Sequence, residues 1–142
     1  MKKCLSAALA TLLLTGCGMN QSDKTVTEGD LLHHNFVLQS VDGVAVTPQP
    51  GSAPSIEFGE KMHVSGAMCN RFFGSGQLQN GVLTVKNLAS TRKLCIDAQR
   101  NQWDHTLSAV LEKGAKVSLN AQQLTLSGGD HVLVYTLRDW VQ

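Results

Sequence analysis

The chain has 142 residues, with twelve Lys and Arg against eleven Asp and Glu, for a formal net charge of +1. That balance excludes the basic stripe needed to displace counterions from a nucleic acid backbone. The length accommodates one hydrophobic core and not two comfortable ones.

Met1-Lys2-Lys3 opens a short apolar run, from about Leu5 to Leu14, that closes on Leu14-Thr15-Gly16-Cys17. A positive start, an apolar centre and a small residue before cysteine match a bacterial lipoprotein export signal. The run is too short to span a bilayer as a helix, which takes about 20 residues. The expectation is that residues 1–16 form a signal peptide and that Cys17 becomes the lipidated first residue, carrying diacylglycerol on its thiol and a third acyl chain on its new amine. Several chains anchor stably because each inserted methylene contributes about 0.8 kcal/mol. The competing reading is an ordinary secretory leader with a coincidental cysteine. Gly18 stands where Asp would favour retention at the inner membrane, so the expected location is the outer membrane, lipid-anchored and facing the periplasm. Residues 17–30 are polar from Asn20 to Thr25 and read as the lipidated cysteine plus a flexible tether, with the domain spanning residues 31–142. Without Lys2 and Lys3 the chain has ten basic against eleven acidic side chains, a net of −1.

Asn35 to Val41 is expected as the first strand, Asp42-Gly43 as a hairpin turn, and Val44 to Val46 as the return. Thr47 to Pro54 holds all three prolines and is expected as an exposed connection before a strand at Ser55 to Phe58. Gly59-Glu60-Lys61 reads as a turn. Met62, Val64 and Gly66 then share one strand face, with His63 and Ser65 opposite. Asn70 to Gln79 and Val82 to Leu88 flank Asn80-Gly81, the strongest hairpin signal in the chain. One helix is expected from Ala98 to Lys113: Trp103, Leu107, Val110 and Leu111 form the apolar stripe, Asp104, Ser108 and Glu112 the opposite side, Asp97 the N-cap and Gly114 the stop. Period-two alternation returns at Val117 to Leu119, Leu124 to Leu126 and Val132 to Leu137, with Gly128-Gly129-Asp130 as a turn. Strands on either side of one principal helix imply an α+β domain built on an antiparallel curled sheet or small conical barrel.

Of four cysteines, Cys4 leaves with the leader and Cys17 is lipidated, so Cys69 and Cys95 either bridge in an oxidising compartment or pack as two separate thiols. Catalytic and metal motifs are missing from the sequence. There is no C-x-x-C, G-x-S-x-G or H-E-x-x-H, and Gly74-Ser75-Gly76 lacks the lysine and strand-to-helix setting of a phosphate loop. His33, His34, His63, His105 and His131 are scattered, so no metal site is expected, and the acidic residues read as solvent-facing charges. Phe72 and Phe73 point to opposite faces of a strand. One is expected in the core. The other is either an exposed contact for an apolar molecule or partner, or is covered by the helix or by Arg71.

Three pieces recur together: Ser65-Gly66-Ala67-Met68-Cys69-Asn70-Arg71-Phe72, Gly76 leading to Asn80-Gly81, and Thr91-Arg92-Lys93-Leu94-Cys95. With Leu124-Thr125-Leu126 and Tyr135 they resemble the META/HslJ domain family from about Leu31 to Trp140. The resemblance implies a compact antiparallel barrel-like body with one helix near mid-sequence, and it marks Gly66, Cys69, Asn70, Thr91 and Cys95 as family motif positions with a scaffolding role. Asn70, Arg71, Phe72, Phe73 and Thr91 form the alternative, a binding rim. Members of this family resemble stress-response or envelope proteins without an established reaction, and the HslJ-like ones are associated with heat response and novobiocin tolerance. The implied function is a noncatalytic envelope stress-response lipoprotein without a cofactor, whose partners are the lipid bilayer, through acylated Cys17, and an envelope protein or amphiphile. A periplasmic binding module for an apolar ligand or partner protein is the alternative.

Overall fold

A computed structural model of the chain describes residues 24–47, 49 and 53–140. The expected signal peptide and Cys17 lie outside the described residues. The element order is α1 (Glu28–Leu31), β1 (His34–Val41), β2 (Val44–Ala45), β3 (Ser55–Phe58), a 3-10 turn (Glu60–Met62), β4 (His63–Ala67), β5 (Arg71–Gln79), β6 (Val82–Ser90), α2 (Ala98–Lys113), β7 (Ala115–Asn120), β8 (Gln123–Gly128) and β9 (His131–Trp140).

All strand pairings are antiparallel, in the order β1-β3-β4-β5-β6-β7-β8-β9, and β9 returns to β1 to close an eight-stranded barrel. Strand β2 extends the β1 edge through Ser40 opposite Ala45 and Val41 opposite Val44. Closure through β1 and β9 pairs the two ends of the sheet, edges that would otherwise template aggregation. The α+β antiparallel barrel with one principal helix is the class that the residue pattern predicts.

Two tight hairpins start from the dipeptides that favour them. Asp42 and Gly43 have φ of 51° and 82°, and Asn80 and Gly81 have 52° and 77°. Positive φ at both central residues is the requirement of the turn whose twist matches the flanking strands. Alternation along each strand then sends Phe36, Ile56, Phe58, Val64, Phe72, Leu83, Val85, Leu124, Leu126, Leu133 and Tyr135 into one continuous core. These side chains fill the barrel. Burial raises the Tyr135 phenol well above its usual pKa, as desolvation of the phenolate requires.

Strands β6 and β7 touch at one end only, Val82 opposite Lys116 and Leu83 opposite Ala115. Helix α2 covers the flared gap. Its sixteen residues, about 24 Å long, bury Trp103, Leu107, Val110 and Leu111. Asp97 accepts the N–H groups of Gln99 and Arg100 at 2.9 and 3.4 Å, and Gly114 N–H returns to Val110 O at 3.0 Å. Both ends of the helix fall at the residues that the capping chemistry predicts.

Three features differ from the residue-level reading. The packed body begins before Leu31: Val26 is buried, and Asp30 accepts both the Thr27 N–H (2.9 Å) and the Thr27 hydroxyl (3.1 Å), closing a short helix that delivers Leu31 to the core. A polar composition hid this turn, because only two apolar side chains are needed to dock it. Those bonds, the backbone one foremost, also hold the Asp30 carboxyl below its usual range. Pro54 is buried and accepts the Leu38 N–H at 2.9 Å, so the proline-rich connection is tied down at its C-terminal end. Strand β9 runs through to Trp140, because nearly its whole length pairs with β1.

Closure between β1 and β9 is stitched by Asp42. Its carboxylate accepts Val132 N–H at 2.7 Å and pairs with His131 Nδ1 at 2.8 Å, while its own N–H donates to Val132 O at 2.8 Å. The His131 bond, then the Val132 bond, lowers the Asp42 pKa. A carboxyl depressed in the folded state contributes stability in full above its unfolded value of about 3.9, and loses it as pH falls through the lowered folded value. Urea midpoints measured against pH should therefore fall more steeply on the acid side for the native chain than for Asp42→Asn, with the two converging at the lowest pH. Leu107→Ala, at a side chain only 2% exposed, should cost about 2–5 kcal/mol by equilibrium urea unfolding.

Candidate functional site

The motif residues converge where the Met68–Asn70 turn, the 91–97 loop and the first half of α2 meet at the barrel rim. Met68 N–H donates to Asn70 O at 3.0 Å and tightens the turn. Gly66 precedes it on β4, opposite Ile56 on β3 and Phe72 on β5. A Cβ there would collide with the Ser55 carbonyl oxygen and stand 2.9 Å from Phe72 Cζ. Glycine thus lets β3 approach and Phe72 lie across the strand.

Asn70 is the hub. Its Oδ1 accepts from the Thr91 hydroxyl and from Lys93 N–H, both at 2.8 Å, and its Nδ2 donates to Asp104 Oδ2 at 2.7 Å and to Lys93 O at 3.1 Å. Thr91 Oγ1 also accepts Arg71 N–H at 3.2 Å. Two donors and two acceptor lone pairs are all that an amide side chain has. Buried Asn70 and the exposed Thr91 hydroxyl both spend their hydrogen bonds on partners within the chain.

Asp104 supplies what the turn lacks. One carboxylate oxygen accepts Cys69 N–H at 2.9 Å, and both oxygens lie 3.2 Å from Asn70 N. The apolar stripe places Asp104 on the opposite, solvent side of α2. In the structure it is half-buried under the turn, because the barrel brings backbone donors to its flank of the helix. One turn earlier, Asn101 accepts Cys95 N–H at 2.9 Å and donates to Cys95 O at 2.8 Å. Asn101 and Asp104 are three residues apart and so share a helix face. That spacing beside the apolar stripe was the available signal for both. Arg100, also unexpected, is buried and donates to Thr47 O at 3.2 Å.

Cys69 and Cys95 are joined in a disulfide with Cα atoms 5.9 Å apart. Closing a segment with a sequence separation of 26 gives roughly 3.5 kcal/mol of chain-entropy stabilisation. The bridge and the Asn70 and Asn101 amides fix the same loop from three sides.

Of the suggested binding rim, Phe72 is in the core, while Arg71 and Phe73 face solvent. Phe73 is 52% exposed and stacks on His63 with ring centroids 6.1 Å apart. Neither α2 nor Arg71 buries it. A surface cleft of about 420 Å³ runs between the loop and α2, bordered by Asn70, Thr91, Leu94, Asp104 and His105. The histidines are dispersed, His33 near Glu60 and His131 on Asp42. Among the described residues no group of three or more His, Cys, Asp or Glu could hold a metal ion.

A closed antiparallel barrel, a single helix across its gap and a G-x-x-C-N turn bonded to a T-x-x-x-C loop define a META-type domain. The META domain model matches residues 29–140, and the chain belongs to that family. It is 49% identical over 140 residues to the heat shock protein HslJ of Escherichia coli strain K12, covering 98% of each chain. A solved NMR structure, 51% identical, superposes with a TM-score of 0.75 over 79% of this chain and 95% of its own. A second, from Burkholderia xenovorans, shares 22% identity and the fold, with a TM-score of 0.62 over 89% of this chain and 99% of its own.

Removing the Asp104 carboxylate strands three donors, and each buried unsatisfied donor costs about 1–3 kcal/mol. Asp104→Ala should lower stability by about 3 kcal/mol in urea titration, with Asp104→Asn losing less because one amide oxygen can still accept.

Proposed function

We propose that this chain is a noncatalytic, outer-membrane lipoprotein of the envelope stress response that contributes to tolerance of heat and novobiocin. The observations that support the reading are near full-length similarity to a heat shock protein and a first segment whose residues match the pattern of an export signal ending on Gly16-Cys17. Cys17 is the proposed acylation site, residues 1–16 the leader, and the bilayer the first partner. The polar groups of the family motif support a bracing role: Asn70, Thr91, Asn101 and Asp104 spend their hydrogen bonds on the chain's own backbone and side chains. No side chain of that set is left poised as a nucleophile with a base beside it, the arrangement that acyl-transfer chemistry needs.

Two measurements test this reading. Mass spectrometry of the membrane fraction should recover an N-terminal peptide starting at a triacylated Cys17, and an uncleaved leader or a free Cys17 thiol would contradict the anchor. Deletion should raise sensitivity to heat and to novobiocin, with complementation by the native gene and none by Cys17→Ala. Unchanged sensitivity in the deletion would remove the stress assignment.

A further inference from the structure

The 91–97 loop combines two properties that rarely coincide. Its apolar side chains are exposed, Leu94 at 87% and Ile96 completely, yet its backbone is tightly held. Lys93 N and O are both bonded to Asn70, and Cys95 N and O are both bonded to Asn101, with the Cys95 sulfur bridged to Cys69. Alternate residues are tied inward, so Leu94 and Ile96 project outward from a loop that cannot easily fold them away. Fixing apolar side chains in water lowers the entropy lost when they are later buried, the usual signature of a docking element.

Beside this tip lies a cleft of about 660 Å³ bordered by Arg71, Lys93 and Arg138, with Ser55 and Thr91 and with no acidic side chain among the described residues of its lining. Among the described residues none of the three cations has an ion-pair partner. The nearby described carboxylates are engaged: Asp97 caps α2, Asp104 holds the turn, and Glu57, which borders a neighbouring cleft with Arg71, accepts the Asn35 amide at 3.0 Å. Cations without counter-charges next to projecting aliphatic side chains complement a surface that is anionic outside and apolar beneath.

We propose that the 91–97 loop and the adjoining cleft dock this domain on an anionic phospholipid surface. Headgroup phosphates meet Arg71, Lys93 and Arg138, while Leu94 and Ile96 enter the acyl boundary. A second copy of the chain fits less well, since a two-fold contact through this tip would set Arg92 and Lys93 against themselves. The inference deepens the lipoprotein reading and rests on it for where such a surface is met. Thr25 lies against Gly81, at the hairpin end of β6, whereas the loop leaves the other end of that nine-residue strand. Anchored at Cys17 and docked through the loop, the barrel lies along the membrane instead of standing away from it.

The test uses the full chain purified from membranes, with Ile96→Trp as reporter, reconstituted into phosphatidylcholine vesicles with or without phosphatidylglycerol and with brominated acyl chains as quencher. The expected result is extra quenching over the native chain in phosphatidylglycerol vesicles, lost in high salt and reduced roughly tenfold by Arg71→Glu with Lys93→Glu. Both substitutions are at exposed side chains, and an unchanged Cys69–Cys95 bridge and circular dichroism verify folding. A chain that floats with both vesicle types and shows no extra quenching overturns the docking while leaving the anchor intact. Failure to float with phosphatidylcholine alone instead overturns the anchor. Protection of the cleft by inorganic phosphate with no lipid dependence would make it a free-anion site. A doubled mass in detergent that Leu94→Ser returns to monomer would assign the face to a second copy. Either of these last outcomes refutes the proposal.

Discussion

The Asp104 carboxylate holds helix α2 against the Met68–Asn70 turn, and the geometry of the rim depends on that clamp. The turn exposes two backbone N–H groups in succession, and a single carboxylate accepts both together with the Asn70 amide. Hydrogen bonds to an ionised acceptor are shorter and stronger than neutral ones. The same contact orients Asn70, which then reaches across to Thr91 and Lys93 and sets the loop that precedes the helix. Helix, turn and loop therefore form one polar unit.

This unit is separated from the apolar core, and the separation is physically useful. The core gathers side chains from nearly every strand inside the barrel, which β1 and β9 close. Polar atoms placed there would have to be satisfied in a confined space at high desolvation cost. At the rim, backbone ends, amides and one carboxylate can satisfy each other while water covers the rest. Gly66 marks the boundary: it lets β3 and the Phe72 ring close over the core directly beneath the polar turn.

A loop this firmly held does not bend to fit a substrate, and its backbone groups are already engaged. What it offers is a fixed outer surface of Leu94, Ile96 and neighbouring cations on a scaffold stabilised independently of them. That division suits a protein that braces or docks, with specificity in shape and charge instead of a reacting group. It also lets the exposed side chains vary without disturbing the barrel, since none of them contributes to the bonds that hold the loop.

Local chemistry was legible in the sequence. The turns at Asp42-Gly43 and Asn80-Gly81, the α2 boundaries at Asp97 and Gly114, the stripe of Trp103, Leu107, Val110 and Leu111 and the inward strand residues all follow from φ preference, capping and periodicity, which act over a few residues. The short α1 turn was missed because Val26 and Leu31 are too few to make a periodic signal. Whether Cys69 meets Cys95, which of Phe72 and Phe73 points inward, and that Asp104 serves a turn more than thirty residues away are matters of three-dimensional juxtaposition. A helical carboxylate reads as solvent-facing until the barrel closes and brings unpaired N–H groups to it. Sequence alone thus determined the barrel strands, helix α2 and the motif residues, whereas only tertiary structure decided which polar groups those elements would spend on one another and which side chains were left facing out.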